Sequence, residues 1–224
     1  MKTLGKILRL AARKAPVSQD DFLRLCRGVI HVGANTGQER GRYAAHDLHV
    51  VWVEPIPSVF AALSGNLRGF PKQTAYQRLI SDQDGVMQTL NISSNDGLSS
   101  SILDLAAHRE IWPDVSFTSS ITVESVTLST FVRAERIDLD CFDALVLDTQ
   151  GAELLILKGG ADILHHFRFI KVEVADFESY KGCCQLQEVD SFMKMQGLKQ
   201  QNKNAFAHSP NGGTYYDVLY RREL

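Results

Sequence analysis

The 224-residue sequence predicts an α/β fold centred on a parallel sheet, and three features carry that expectation. The first is Ile30-His31-Val32-Gly33-Ala34-Asn35-Thr36-Gly37-Gln38-Glu39, followed by Val50-Val51-Trp52-Val53-Glu54. It reads as a buried strand, a glycine turn, a helix and a second strand ending on a carboxylate. The second is Ala144-Leu145-Val146-Leu147-Asp148, another short apolar strand that stops at an acid. The third is the stretch 214–221, where Tyr216, Val218 and Tyr220 alternate with Tyr215, Asp217 and Leu219 after Gly212-Gly213. That alternation is the pattern of a closing antiparallel strand.

The remaining elements follow in order. Residues 28–33 are a short apolar run before glycine, as a central parallel strand requires. Residues 37–46 supply a helix, and 49–54 a second strand stopped by Pro55 and Pro57. Residues 58–67 place Val59, Ala62 and Leu63 on one helical face. A third strand spans 74–80, and Ser81-Asp82-Gln83-Asp84-Gly85 is strong turn chemistry before an alternating, antiparallel strand at 86–92. Residues 93–120 are rich in Ser, Asn and Asp, contain Trp112-Pro113 and lack clear periodicity; an irregular insertion of that length is more often functional than idle. A strand resumes at 121–127 and a short helix covers 128–134. Residues 151–159 form a helix with Glu153 in its first turn and Gly159-Gly160 at its close. A strand at 169–174 ends near Glu173 and Asp176, and a helix at 186–196 ends at Gly197. Neither an internal repeat nor a low-complexity segment is present.

Composition narrows the function. Hydrophobic residues make up 44% and charged residues 22%, so an ordinary core is expected. The net charge of −2 lacks the basic footprint of a nucleic-acid binder. The four cysteines form no Cys-x-x-Cys pair, which fits a reduced, cytoplasmic setting. No apolar run approaches the ~20 residues of a membrane-spanning helix. Residues 1–20 read as a basic amphipathic helix and linker, with Lys2, Lys6, Arg9 and Arg13 against Leu4, Leu8 and Ala11. They lack the apolar core of a secretory signal, and at most a weak membrane-surface contact is expected of them. Residues 21–224 read as one domain, and nothing in the sequence sets an oligomeric state.

The glycine turn selects among adenosine ligands. Glu54 stands 21 positions after Gly33, close to the roughly 20 expected for an acid that holds a ribose. A nicotinamide-binding turn needs a middle glycine for close approach to pyrophosphate, and here that position is Asn35. A P-loop needs Gly-Lys-Ser/Thr, and here Gly37-Gln38-Glu39 ends on an acid. No Lys or Arg lies between His31 and Glu39. The turn therefore suits a sulfonium-bearing zwitterion such as S-adenosylmethionine rather than a polyanion. Gly33, Ala34, Asn35 and Gly37 are expected on its methionine side, with Glu54 and the adjoining Pro55 at the ribose.

These residues carry a resemblance. Besides the 30–39 stretch, the chain has Val53-Glu54-Pro55, Gly97-Leu98-Ser99-Ser100, Leu147-Asp148-Thr149-Gln150-Gly151-Ala152-Glu153-Leu154, Leu157-Lys158-Gly159 and Val172-Glu173-Val174. In this order, over roughly residues 28–200, they resemble the FkbM family of S-adenosylmethionine-dependent methyltransferases. The glycine turn alone is a weak signal; the Asp148-x-Gln150-Gly151-Ala152-Glu153 block with Lys158-Gly159 is far more specific. The resemblance implies a Rossmann-like class I methyltransferase fold: a seven-stranded, mostly parallel sheet with an antiparallel last strand and helices on both faces. It also implies, usually, O-methylation of a sugar or natural-product hydroxyl. Ser81 and Asp82 follow the third strand, where this fold usually meets adenine. Two departures stand out. His31 occupies a position where many methyltransferases have an acid, and Gln150 stands where the family often has Glu.

Candidate catalytic residues are Asp148, Glu173 and His31. Asp148 ends a buried strand at the ligand edge of the sheet, where it could orient the acceptor hydroxyl, take its proton, hold a metal or cap the next helix. Glu173 sits inside a strand, where burial raises a carboxyl pKa and makes a candidate base. Ser99 and Ser100 are expected at the substrate, with the 93–120 insertion on the acceptor side. A sugar hydroxyl is a poor nucleophile, so a positioned base contributes about 10²–10⁴-fold. Carboxylates and hydroxyls are natural ligands of a divalent metal, but no dedicated cluster appears and none is expected. The partner is then a small-molecule or glycan acceptor. Two other readings compete: an NAD-dependent oxidoreductase using Glu54, which lacks its middle glycine, and a non-catalytic nucleoside-binding protein, against which the intact Gly33, Gly37, Glu54 and Asp148 argue.

Overall fold

Five consecutive buried residues, Gly28–Val32, form β1 at the centre of the main sheet. The structure, a computed structural model, describes residues 20–223. The basic helix expected over residues 1–20 lies, but for its last position, outside the described residues. After β1 come α1 (Arg40–Ala45), β2 (His49–Val53), α2 (Pro57–Asn66), β3 (Gln73–Tyr76), β4 (Leu79–Ser81) and β5 (Met87–Ser93). The chain continues through α3 (His108–Ile111), β6 (Phe117–Thr127), α4 (Leu128–Ala134), β7 (Ala144–Leu147) and α5 (Glu153–Gly159). It closes with β8 (Phe169–Ala175), α6 (Leu186–Met195), β9 (Leu198–His208) and β10 (Thr214–Arg222).

The main sheet has seven strands in the order β3-β2-β1-β7-β8-β10-β9. β3, β2, β1, β7 and β8 pair in parallel, and β10 runs antiparallel to both β8 and β9. This is the expected seven-stranded, mostly parallel sheet with an antiparallel last strand. β1, β2 and β7 are almost wholly apolar because both faces of the sheet are covered there, whereas β8 carries Lys171 and Glu173. On one face Ile30 and Val32 join Phe131 of α4, Ile156 of α5 and Val189 of α6. On the other, Val29 and Trp52 join Tyr43 of α1, Leu63 of α2, and Phe22 and Leu23, which precede β1.

The structure differs from the sequence expectation in four places. The stretch 74–80 is not one strand: β3 ends at Tyr76, and β4 leaves the main sheet for a smaller one ordered β4-β6-β5. β6 begins at Phe117, inside the expected irregular insertion, which also contains the short α3. β9 was not anticipated, because after Leu198 it is an edge strand with almost every residue exposed and so has no apolar alternation. α1 starts at Arg40 rather than Gly37, whose φ of +73° cannot continue a right-handed helix.

Candidate active site

The site is built at the carboxyl ends of β1, β2 and β7. Beyond β1, the Gly33 and Ala34 N–H groups both donate to the Val53 carbonyl, at 3.0 and 3.1 Å, and draw the turn across the end of β2. Gly33 (φ +83°) also passes so close to β7 that a Cβ would collide with the Asp148 carbonyl. Asn35 takes φ +43°, a conformation held by its neighbours: its N–H donates to Glu54 Oε2 at 2.9 Å and its side-chain amide to the Asp96 carbonyl at 3.2 Å. Glu54 Oε1 accepts from the Ile56 N–H at 2.9 Å, so one carboxyl ties the glycine turn to the start of α2. Glu54 is only 5% exposed. Desolvation pushes its pKa up from 4.5 to about 7, against the lowering pull of those two N–H groups.

A cleft of about 220 Å³ opens beside this turn. Gly33, Ala34, Asn35, Glu54 and Pro55 form one wall, and Asp148, Thr149 and Gln150 another. Ile56, Ile80 and Leu90 make an apolar end, and Gly97, Leu98 and Ser100 come from the insertion. The acids at its border are Glu39, Glu54 and Asp148. Among the described residues, Arg78 is the sole Lys or Arg there, and it is bound to Glu135 at 2.8 Å.

Not every expected site residue reaches the cleft. Gly37 packs against Leu63 of α2. Ser81 is fully buried under α5: its backbone sits where a Cβ on Gly159 would fall, and its hydroxyl accepts from Gln88 at 3.0 Å and donates to Asp82 at 3.3 Å. Neither Ser81 nor Asp82 borders the cleft. The Ser99 hydroxyl accepts from the Asn95 amide at 3.0 Å inside the insertion, whereas Ser100 does border the cleft. His31 does border both the cleft and the chamber behind it, with its ring stacked on Trp52 (centroids 4.9 Å apart) and its Nδ1 3.1 Å from the Tyr43 hydroxyl. Burial, aided by Lys171, pulls its pKa down to about 3, so His31 is neutral.

Asp148 and Glu173 are brought together by a residue that sequence reasoning had noted only as a missing charge. Gln150 Nε2 donates to Asp148 Oδ1 at 2.8 Å and to Glu173 Oε1 at 3.2 Å. Its Oε1 accepts from the Tyr180 hydroxyl at 2.9 Å. Desolvation pushes Asp148 up to about 7, with Glu153, Glu39 and Asp217 adding to the rise and Gln150 opposing it. Glu173 is raised well above the usual range by burial and then by Asp148. Asp148 borders both the cleft and a charged chamber of about 60 Å³ behind it; Glu173 borders the chamber. Among the described residues no group of three or more His, Cys, Asp or Glu is arranged to hold a metal ion. Tyr180 carried no local signal, because its role depends on a contact 30 positions away.

The strand order, the antiparallel β10 and the ligand cleft at the strand ends define a class I methyltransferase. More narrowly, the chain belongs to the FkbM methyltransferase family, whose methyltransferase FkbM domain matches residues 31–203. It is 27% identical over 169 residues to the 2-O-methyltransferase NoeI of Sinorhizobium fredii (strain NBRC 101917 / NGR234), covering 72% of this chain and 68% of that protein. Its fold is similar to magnesium protoporphyrin IX methyltransferase (ChlM) of Synechocystis PCC 6803 with bound SAH. That likeness has a TM-score of 0.51 at 6% identity, over 92% of this chain and 78% of the other. It is also similar to Streptococcus pneumoniae Sp1610 in complex with S-adenosyl-L-methionine, with a TM-score of 0.50 at 8% identity over 90% and 71% of the two chains.

Proposed function

We propose that this methyltransferase moves a methyl group from S-adenosylmethionine to a hydroxyl of a sugar, glycan or secondary metabolite. The observation that carries the choice of donor is the charge of the cleft: three acids at its border, and one cation already bound to Glu135. A sulfonium is stabilised by those acids, whereas a dinucleotide pyrophosphate is repelled by them. Each Glu54 oxygen accepts one N–H and retains a lone pair for a ribose hydroxyl. Main chain around Gly33 and Asn35 faces the methionine portion, and Ile56, Ile80 and Leu90 offer apolar surface to the adenine. The likeness to a protein named a 2-O-methyltransferase supports oxygen as the acceptor atom.

The donor supplies an activated methyl group. The residues of the chain align the acceptor oxygen with it, an effect worth several kcal/mol, and Asp148 or Glu173 takes the hydroxyl proton. The reading assigns no step to a divalent metal, and it places residues 21–224 in one catalytic unit acting in the cytoplasm. Among the described residues no helix is long and apolar enough to cross a membrane. Titration calorimetry with S-adenosylmethionine, S-adenosylhomocysteine and NAD tests the donor: the first two bind and NAD does not. Binding of NAD alone would replace this reading with the oxidoreductase one. Incubation with a panel of glycans, followed by mass spectrometry for one added methyl group, then identifies the acceptor.

A further inference from the structure

Gln150 is held on every side. Its backbone takes φ +58°, a region non-glycine residues occupy only where neighbours hold them. The Ser101 hydroxyl donates to its carbonyl at 2.7 Å. The Tyr180 phenol, kept protonated by burial, donates to its side-chain Oε1 and shares that proton with the Ser99 carbonyl at 3.2 Å. With the phenol donating to Oε1, both hydrogens of Nε2 point at carboxyl oxygens. One serves Asp148 at 2.8 Å and the other Glu173 at 3.2 Å.

The two acids are not equivalent. Asp148 has the shorter amide bond and borders the cleft, whereas Glu173 borders only the chamber behind it. Among the charged groups that border the chamber with the pair, Arg42 of α1 binds Asp20 at 2.9 Å. Glu153 of α5 accepts from the N–H groups of Thr149 and Gly151. Asp217 of β10 pairs with Lys171 of β8 at 3.1 Å, and His31 of β1 is bound to Tyr43 of α1. Glu39, at the start of α1, borders both cavities and adds negative charge.

We propose that Gln150 is the positioning residue that makes Asp148, rather than Glu173, the base for the acceptor hydroxyl. The proposal rests on the methyl-transfer reading of the cleft. In the step, the acceptor oxygen bonds to the methyl carbon as its O–H bond breaks. The proton passes to the Asp148 carboxylate, and the carbon–sulfur electron pair returns to sulfur. An amide at position 150 stabilises the ionised Asp148 by donating to it; a carboxyl there would add a third acid and remove the donor.

Carbon-detected NMR of the full chain, labelled in its Asp and Glu carboxyls, reads the assignment directly. Asp148→Asn and Glu173→Gln identify the two signals. Asp148 ionises at a lower pH than Glu173, and Gln150→Leu raises the Asp148 midpoint by about one pH unit. Tyr180→Phe, which frees the amide to turn without removing it, moves the midpoint the same way by less, and carries the test if Gln150→Leu does not fold. Glu173 ionising first overturns the assignment. So does an Asp148 midpoint that stays put in every variant that folds. S-adenosylhomocysteine is titrated into the same samples: failure to bind the wild type would count against the methyl-transfer reading, while the order of ionisation is read independently of it.

Discussion

Glu54 ties the glycine turn to the start of α2 with one carboxyl, and in the proposed reading the same carboxyl holds the donor ribose. Glu54→Gln leaves one oxygen and one NH2 where two N–H donors now find acceptors. One backbone N–H loses its partner, at a cost of about 1–3 kcal/mol in stability. The ribose loses an ionised acceptor as well, a contact worth about 1.5–3 kcal/mol. S-adenosylmethionine affinity by calorimetry is therefore expected to fall by roughly 10–100-fold; unchanged affinity would take Glu54 out of the donor site. Glu54 and Asp148 were legible in the sequence because each is an acid ending an apolar strand, and the sheet puts such positions at one edge. Gln150 was legible as a residue and not as a bridge, since Glu173 and Tyr180 lie 23 and 30 positions away and only packing brings them to its amide. His31, which its place beside the glycine turn made a candidate, does border the cleft, and its contacts with Trp52 and Tyr43 are again set by packing that the local sequence does not show.

At the scale of elements, the inner strands were readable because a strand buried on both faces is a plain apolar run. Val29, Ile30, Ala144, Leu145, Phe169 and Ile170 are all fully buried. What escaped were elements whose pattern is set by neighbours. β9 shows solvent nearly all its residues, and β3 and β4 read as one strand although they belong to different sheets. Two glycines separate a junction from an ordinary helix position. Gly33→Ala, at φ +83° and against the Asp148 carbonyl, forces the β1 turn away from β7. It is expected to cost on the order of 3 kcal/mol or more. Gly65→Ala, in α2 with nothing within 4 Å of the new Cβ, is expected to stabilise by about 0.5–1 kcal/mol. Chemical denaturation of both variants checks the pair. A harmless Gly33→Ala would show that the turn is not pinned to β7 as described.

For the whole molecule, burial of ionisable groups makes stability and ligand binding depend on pH in opposite senses. The folded-state pKa values of Glu54 and Asp148 are raised from 4.5 and 3.8 to about 7, and those of Glu153 and Glu173 are raised too. Their folded forms hold protons that the unfolded chain has released, so this part of the stability is lost as pH rises from about 4 through about 7. His31 and His108 act in the other direction. Lowered from 6.5 to about 3 and about 4, they favour the folded state above the unfolded value and cost stability as pH falls below it. Below about 6.5 the two sets oppose each other; above it only the acids still change, so the free protein loses stability between about pH 6.5 and 8. In the proposed reading a cationic donor binds the ionised acids, so its affinity is expected to strengthen over that same interval. Binding to the folded state alone raises stability in proportion to the logarithm of ligand over Kd. Scanning calorimetry at about pH 6 and about pH 8, with and without S-adenosylmethionine at one fixed concentration, should thus give a lower Tm at pH 8 for the free protein and a larger ligand-induced rise there. An equal or smaller rise at pH 8 would mean that the acids of the cleft do not face the sulfonium.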